Sequence, residues 1–258
     1  MSAYYNEIDA YAAQWLRNLI AAGHIAPGDV DERSIAEVTP KDVEGYTQCH
    51  FFAGIGGWSY ALRLAGWGDS RPVWTGSCPC QPFSAAGAKK ADEDDRHLAP
   101  AWLRLIAECR PSVVFGEQVD AAIGVGWLDA LFTELEAHQY ACGAASFNAA
   151  SVGAPHIRQR LYFVGDAEHA GSPGGVRGRE NPQREIEHGH AGRGSTTDFW
   201  SDLIWLPCRD GKARPTQPGL QPLAHGIQNR VGRLRAYGNA IVPQAAAEFI
   251  AAYMECRP

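Results

Sequence analysis

The sequence lacks the long apolar runs and the ordered cysteine pairs that mark several classes of protein. No uninterrupted apolar stretch approaches the ~20 residues that a membrane-spanning helix requires. The seven cysteines show neither a paired CxxC motif nor a spacing typical of a disulfide framework. The first residues carry neither a basic leader nor an apolar secretory segment. We therefore expect a reduced, cytoplasmic protein that does not enter a membrane.

The chain does contain enough apolar surface for a large core. Its 258 residues are 45% hydrophobic, with 8 Trp, 9 Tyr and 9 Phe, which excludes a mainly disordered protein. The net charge of −6 hides a split, because residues 166–235 balance to +2 and the remainder to −8. An Arg- and Gly-rich segment in an acidic body suits phosphate contact, and it equally suits a solvated polar loop.

Strand-like and helix-like segments alternate along the first 166 residues. Short strands are expected at 3–6, 25–30, 46–52, 72–76, 112–115, 140–147 and 160–164. Helices are expected at 7–22, 58–65, 98–109 and 126–137, and a last one near the C-terminus at 245–253. This alternation predicts an α/β fold with a doubly wound, mostly parallel sheet covered on both faces.

Four short segments could carry chemistry, although each alone could also be structural. The first is a glycine-rich turn between a strand and a helix, where ligands approach the backbone closely; it comprises Phe52, Ala53, Gly54, Ile55, Gly56 and Gly57. Cys80 lies just beyond a strand and is a candidate nucleophile or an ordinary semi-buried thiol. Glu117 ends an apolar strand, where a carboxylate is costly without a partner or a role. Arg158 and Arg160 flank the start of another strand.

Taken together and in this order, the segments resemble the DNA cytosine-5 methyltransferase family. The glycine turn, Pro79-Cys80-Gln81, Glu117-Gln118-Val119, Arg158-Gln159-Arg160 and Tyr237-Gly238-Asn239-Ala240 form a highly specific set. The resemblance covers almost the whole chain except the Arg- and Gly-rich segment. It implies the Rossmann-like fold of S-adenosylmethionine-dependent methyltransferases, S-adenosyl-L-methionine as the cofactor, and a monomer that acts on DNA, most simply double-stranded DNA.

The cofactor segments depart from the family in their order along the chain. In the family, a ribose-binding acidic turn and an adenine-contacting Asp follow the glycine turn. In this chain Glu7 and Ile8 lie in a segment similar to the first, and Asp29 and Val30 in one similar to the second, both ahead of the glycine turn. The resemblance thus implies a permuted chain whose cofactor site is intact. The alternative is that Glu7 and Asp29 are surface acids and the pocket is lost. Beyond the glycine turn, the implied cofactor residues are Glu7, Ile8, Asp29, Val30, Pro79, Asn239 and Ala240.

The resemblance also implies a role for each catalytic residue. Cys80 would add to carbon 6 of cytosine, and Glu117 would protonate or hydrogen-bond ring nitrogen 3. Arg160 would bind the ring carbonyl and orient Glu117, with Arg158 supporting the loop. Because a base inside a duplex cannot reach the thiol, the target cytosine must flip out.

The chain is expected to divide into three parts. Residues 1–166 form the catalytic and cofactor-binding domain, 167–235 a small irregular target-recognition region, and 236–258 a segment that returns to the catalytic domain. Residues 84–97 are a candidate clamp over the flipped base. The candidate DNA-binding residues are Gln81, Ser84, Lys89, Lys90, Arg177, Arg179 and Arg193.

Some residues do not follow the family pattern or suggest other chemistry. Gln118 stands where the family usually has Asn, and His156 where it usually has Gln, but neither change removes a group that the reaction requires. No metal site is expected, because the spacing of the nearest candidates fits no common zinc site; these are His188, His190, Cys208 and His225.

Two other functions stay open from the sequence. One is a degenerate relative that binds DNA without chemistry, against which the retained Cys80, Glu117 and Arg160 argue. The other is an enzyme that uses the same carbon 6 adduct without S-adenosylmethionine, such as a cytosine deaminase or a transferase with another one-carbon donor. Binding of S-adenosylmethionine by the purified protein distinguishes this second enzyme from the methyltransferase, because an absence of binding would favour the enzyme that does not use S-adenosylmethionine.

Overall fold

The computed structural model describes residues 2–78, 98–120, 126–154, 156–168 and 240–257, together with two short strands at 204–207 and 213–216. Seven strands form the main sheet: β1 (Ala3–Asn6), β2 (Gly28–Asp31), β3 (Gln48–Phe51), β4 (Val73–Gly76), β5 (Val113–Val119), β6 (Ala141–Asn148) and β7 (Gln159–Asp166). The α-helices are α1 (Ala10–Ala21), α2 (Pro40–Val43), α3 (Gly57–Leu64), α4 (Leu98–Cys109), α5 (Trp127–Ala137) and α6 (Pro243–Cys256). Short 3₁₀ helices lie at Ile35–Glu37 and Ala149–Val152.

The sheet has the order β2-β1-β3-β4-β5-β7-β6. The first five of these strands are parallel, whereas β7 is antiparallel to both β5 and β6. The predicted doubly wound, mostly parallel sheet is confirmed. Asn6 pairs with both Asp31 and Phe51, so β1, β2 and β3 end level with one another at the edge where the glycine turn begins.

Helices cover both faces of the sheet, as the sequence predicted. On one face, α3 and α6 pack with the β5 side chain Phe115, through Trp58, Leu62 and Phe249. On the other face, α4 and α5 pack against the sheet; the buried side chains there include Trp102, Leu105, Val114, Leu131 and Phe163. None of the helices in the described ranges is long and apolar enough to cross a bilayer.

The structure differs from the sequence-based expectation at several boundaries. α1 begins at Ala10 rather than at residue 7, because the Asp9 side chain accepts a hydrogen bond from the Ala12 amide at 3.0 Å and caps the helix there. β5 extends to Val119, past Gly116 and Glu117, where the strand was expected to end. Within the region expected to be irregular, β8 (Ile204–Pro207) and β9 (Ala213–Thr216) pair antiparallel. The predicted domain boundaries stay predictions.

Candidate active site

The glycine turn links β3 to α3 through backbone conformations that L side chains rarely adopt. Gly54 and Gly56 have φ values of +55° and +81°, and Phe52 lies in the same left-handed region at +51°. A Cβ on Gly57 would lie 2.7 Å from Cγ1 of Ile241, so glycine allows α3 to approach the segment before α6. At Gly54, no heavy atom of the described residues lies within 4 Å of the Cβ direction. The turn is therefore closed on the helix side and open at Gly54, where a ligand has room.

Glu7 lies directly against this turn although it is distant in sequence. One carboxylate oxygen accepts a hydrogen bond from the Gly54 amide at 2.7 Å, and the other accepts from the Asp9 amide at 2.9 Å. The Ala53 amide also donates to the Asn6 carbonyl at 3.0 Å. The N-terminal segment and the glycine turn thus form one hydrogen-bonded unit.

Two apolar residues singled out from the sequence directly follow the acids Glu7 and Asp29. Ile8, which follows Glu7, is 64% exposed, and Val30 is half-buried in β2. An isoleucine side chain exposed to solvent has an unfavourable free energy that is proportional to its exposed apolar area. An apolar ligand surface placed against Ile8 would remove that cost.

The acids of β2 have different partners. Asp29 is exposed and accepts a hydrogen bond from the Tyr46 hydroxyl at 2.8 Å. Asp31 ends the strand, accepts from the Tyr4 hydroxyl at 2.6 Å and pairs with Arg33 at 2.6 Å. Sequence reasoning selected Asp29 and missed Asp31, since only the register shows which acid lies at the end of the strand.

On the other side of β3, the strand β5 carries the buried carboxylate Glu117. The side chain is 10% exposed, and Arg160 Nε lies 2.8 Å from its Oε1. Glu117 pairs with Tyr162 across the antiparallel β5–β7 ladder, which puts Arg160, two residues before Tyr162, on the same face. Burial raises the pKa of Glu117, against the lowering effect of Arg160 and Arg158. The structure thus brings three of the predicted catalytic residues together.

Arg158 connects this carboxylate site to the segment before α6. Its Nη2 donates to the Ala240 carbonyl at 3.0 Å, while burial and the charge of Arg160 lower its pKa. A cavity of about 520 Å³ is lined by Arg158, the glycine turn and the start of α6. The members of this lining that were predicted as site residues are Ile55, Gly56, Gly57, Arg158 and Ala240.

The chain that leads to Cys80 is fixed by a contact from β5. Gln118, 3% exposed, donates from Nε2 to the Cys78 carbonyl at 2.9 Å. Its own Oε1 accepts from the Val119 amide at 2.9 Å, so the amide group is held at both ends. Gln118 was noted in the sequence as a departure from the family pattern, and the structure shows what it holds.

A second contact lies one residue before Cys78. The Ser77 hydroxyl accepts a hydrogen bond from Trp58 Nε1 at 3.0 Å, and this hydroxyl acts to lower the pKa of Glu117 against the effect of burial. Sequence reasoning missed Ser77. A serine between a strand and a Pro-Cys motif carries no signal that would distinguish it from a turn residue.

The remaining predicted site residues lie outside the described part of the chain. They are Pro79, Cys80, Gln81, Ser84, Lys89, Lys90, Arg177, Arg179, Arg193 and Asn239. Within the described ranges, no group of three or more His, Cys, Asp or Glu side chains could hold a metal ion.

The strand order and the glycine turn after β3 define a doubly wound, Rossmann-like α/β protein. Residues 69–188, a little under half of the chain, match the family model of C-5 cytosine-specific DNA methylases. The matched range contains Glu117, Arg158 and Arg160 together with Cys80. This match supports the predicted family over that range.

The chain is also similar to named relatives over part of its length. The chain is 33% identical over 94 residues to the Type II methyltransferase M.AplI of Arthrospira platensis, covering 36% of this chain and 27% of that protein. It is 30% identical over 128 residues to the Type II methyltransferase M.AquIA of a Picosynechococcus species, covering 43% of this chain and 51% of that protein. The chain therefore matches about half of M.AquIA and about a quarter of M.AplI.

Solved structures with related chain traces include the DNMT2 of Spodoptera frugiperda, as an E260A/E261A/K263A mutant. That match has a TM-score of 0.46 at 15% identity and covers 66% of this chain and 44% of the other. The Entamoeba histolytica methyltransferase EhMeth matches with a TM-score of 0.41 at 16% identity, covering 64% of this chain and 44% of the other.

Proposed function

We propose that this protein transfers a methyl group from S-adenosylmethionine to carbon 5 of a flipped-out cytosine in DNA, through a covalent adduct between Cys80 and carbon 6. The observation that carries the proposal is the buried pair of Glu117 and Arg160, 2.8 Å apart. This pair lies next to the segment that follows β4 and leads to Cys80, and within the range that matches the family.

The chemistry requires a nucleophile, an acid and an anchor, and the chain supplies all three. Carbon 5 of cytosine is a poor nucleophile until a thiolate adds to carbon 6. Cys80 forms that sulfur–carbon bond while Glu117 gives a proton to ring nitrogen 3, which takes up the electron pair displaced from the ring. Arg160 binds the ring carbonyl and holds Glu117 in place. After methylation, a base removes the carbon 5 proton, the double bond re-forms and Cys80 leaves as the thiolate.

Burial of Glu117 suits its role as the acid. A carboxyl group in a largely desolvated site holds its proton to higher pH than a solvent-exposed one, as general acids near neutral pH require. The charges of Arg160 and Arg158 oppose this effect and act to lower the pKa of the carboxyl. Arg158 also supports the segment that contains Ala240.

The residues around the glycine turn fit S-adenosylmethionine. The open space at Gly54 leaves room against the backbone, the Glu7 carboxylate can accept from ribose hydroxyls, and the exposed Ile8 offers an apolar surface for adenine. Val30 and Asp29 would complete the adenine side. Pro79, Asn239, Ala240 and the glycine turn would hold the methionine end. When bound, S-adenosylmethionine supplies an electrophilic methyl group.

A permuted order of the cofactor segments accompanies this proposal. The family match begins at residue 69, after both the glycine turn and the N-terminal acidic segments. β1 and β2 lie beside β3 in the sheet, and Glu7 is hydrogen-bonded to Gly54. Both observations support the view that the N-terminal segments take the places that follow the glycine turn in other members.

For the DNA, we propose that 167–235 is the target-recognition region and that 84–97 covers the flipped base. The Arg residues of the first segment, Arg177, Arg179 and Arg193, would contact phosphates or guanine edges. Gln81, Ser84, Lys89 and Lys90 would contact the DNA near the target base.

The test is methyl transfer by the purified full chain. Unmethylated duplex DNA is incubated with radiolabelled S-adenosylmethionine, and bisulfite sequencing then locates the modified cytosines. We expect incorporation at carbon 5, abolished in Glu117→Gln and Cys80→Ser. Conversion of cytosine to uracil without incorporation would instead indicate a deaminase. DNA binding with neither product would indicate a degenerate relative.

A further inference from the structure

Two elements hold the residues that precede Cys80 in the chain. Ser77 and Cys78 directly follow β4, and we call them the pre-cysteine segment. The Ser77 hydroxyl accepts a hydrogen bond from Nε1 of Trp58 in α3 at 3.0 Å. The Cys78 carbonyl accepts one from Nε2 of Gln118 in β5 at 2.9 Å. The pre-cysteine segment is therefore anchored both to the helix that follows the glycine turn and to β5.

The anchor on the helix side is a rigid one. Trp58 is 3% exposed, and its ring is stacked on Phe115 with centroids 6.3 Å apart. The same ring meets Tyr162 edge-on at 6.2 Å. An indole N–H can only donate, so the Ser77 oxygen is the acceptor. Because the ring is fixed between two aromatic neighbours, the donor that Ser77 meets has a fixed position.

Trp58 belongs to the helix that begins at the glycine turn. Gly56 is the N-cap of α3, and Trp58 is the second residue of that helix. Gly57, the first residue, packs closely against the segment before α6. The turn also contains Gly54, where a ligand has room. Trp58 therefore connects the proposed cofactor turn to the pre-cysteine segment through one side chain.

The proposed reaction makes the distance between these two segments important. The thiolate of Cys80 adds to carbon 6, and the methyl group moves to carbon 5, which is the neighbouring atom of the same ring. The nucleophile and the methyl donor must therefore be held at matching positions around one base. A misplacement of about 1 Å costs on the order of 100-fold in rate.

We propose that Trp58 is a positioning residue whose indole N–H, through the Ser77 hydroxyl, fixes the pre-cysteine segment relative to the glycine turn. Its importance for catalysis rests on the proposed function, whereas the contacts do not depend on it. Gln118 holds the neighbouring residue from β5. The two anchors come from different elements, so loss of one leaves the other in place.

Trp67 offers a matched control for the loss of a buried indole hydrogen bond. It is 1% exposed and packs on the same Phe115 ring, with centroids 5.6 Å apart. Its Nε1 donates to the Arg71 carbonyl at 3.1 Å. Arg71 precedes β4, whereas Ser77 follows it, so the two hydrogen bonds lie at opposite ends of that strand. Trp67→Phe therefore removes a bond of the same kind without affecting the pre-cysteine segment.

Hydrogen exchange followed by mass spectrometry measures whether the contact holds the pre-cysteine segment. Trp58→Phe keeps an aromatic ring but removes the donor, and Ser77→Ala removes the acceptor. Circular dichroism first shows that each variant is folded. Relative to their intrinsic rates, we expect the amides of residues 77 and 78 to exchange about tenfold faster in both variants, because local opening becomes easier. Trp67→Phe should leave these rates unchanged. An unchanged rate in either folded variant, or an equal rise in Trp67→Phe, overturns the inference.

Single-turnover methyl transfer measures the consequence for the reaction. We expect the rate to fall about tenfold in Trp58→Phe, in Ser77→Ala and in the double variant alike, because all three lack the same hydrogen bond. The affinity for S-adenosylmethionine should stay within about twofold of the wild-type value, and Trp67→Phe should keep the wild-type rate.

The outcomes separate the role of Trp58 from the proposed function. A wild-type rate in both single variants, or losses that add in the double variant, contradicts the positioning role while methyl transfer by the wild type stands. An inactive wild type contradicts the proposed function instead. The exchange rates then still decide whether Trp58 fixes the pre-cysteine segment.

Discussion

The Glu7 carboxylate accepts a hydrogen bond from the Gly54 amide at 2.7 Å, although 47 residues separate the two. This contact joins the N-terminal segment to the glycine turn that follows the central strand β3. It places an acid at the open side of the turn, next to the exposed Ile8. We propose that these features form the cofactor half of the site.

Glu7→Gln tests whether the N-terminal acid contributes to cofactor binding. The amide keeps the shape of the side chain but removes its charge and one acceptor, so we expect the affinity for S-adenosylmethionine to fall about tenfold. Isothermal titration calorimetry measures this. Glu32→Gln is the matched control. Glu32 forms an ion pair with Arg17 at the surface, and among the described residues it has no hydrogen bond to Gly54. Equal affinities for the two variants would contradict the proposed site.

Gln118→Ala tests the link between β5 and the segment that leads to Cys80. Loss of the hydrogen bond to the Cys78 carbonyl frees the backbone two residues before the nucleophile, so we expect the rate of methyl transfer to fall about tenfold. The affinity for S-adenosylmethionine should stay near the wild-type value. Gln14→Ala, on the exposed face of α1, is the control. A wild-type rate in the folded variant would show that this contact does not position the thiol.

The burial of His50 leads us to expect a loss of folding stability at acid pH. It lies buried in β3, with Nδ1 2.8 Å from the Thr75 hydroxyl, and burial lowers its pKa to about 3 against the opposing charge of Asp69. Since the unfolded chain binds the proton more readily, with a pKa of about 6.5, stability contributed by neutral His50 is fully present above that pH. It declines as the pH falls toward 3.

Urea unfolding between pH 7 and pH 4 measures this effect in the wild type and in His50→Gln. We expect the free energy of unfolding of the wild type to fall more steeply with acid than that of the variant, by roughly 3 kcal/mol over this range. His24→Gln, at an exposed position, should behave as the wild type does. Parallel curves for the wild type and His50→Gln would show that His50 does not titrate differently on folding.

Much of the sheet could be predicted from the sequence because several strands contain short apolar segments bounded by turn residues. The interior of β4 and the first part of β5 are buried throughout, and such runs are readily recognised. The continuation of β5 to Val119 was missed, because Glu117 and Gln118 resemble a strand end when their partners across the sheet are unknown. Those partners, Arg160 and Cys78, come from distant parts of the chain.

Contacts between distant parts of the chain also limited what could be predicted of the site. Glu117 and Arg160 were singled out from the order of the motifs, and they lie 2.8 Å apart in the structure; the contacts of Asp31 and Ser77 were not foreseen. Asp31 gains its place from the alignment of β2 with β1, and Ser77 from an indole 19 residues earlier. Contacts of this kind depend on tertiary packing, which no local pattern encodes.

The most direct test of the central claim is to trap the bond between Cys80 and cytosine. Duplex DNA that carries 5-fluorocytosine at a site methylated by the protein is incubated with the full chain and S-adenosylmethionine. Fluorine at carbon 5 blocks the final proton removal, so the adduct should persist under denaturing conditions. We expect a protein–DNA species in the mass spectrum of the wild type and none with Cys80→Ser. Methyl transfer without any such species, or retained by Cys80→Ser, would contradict the covalent mechanism.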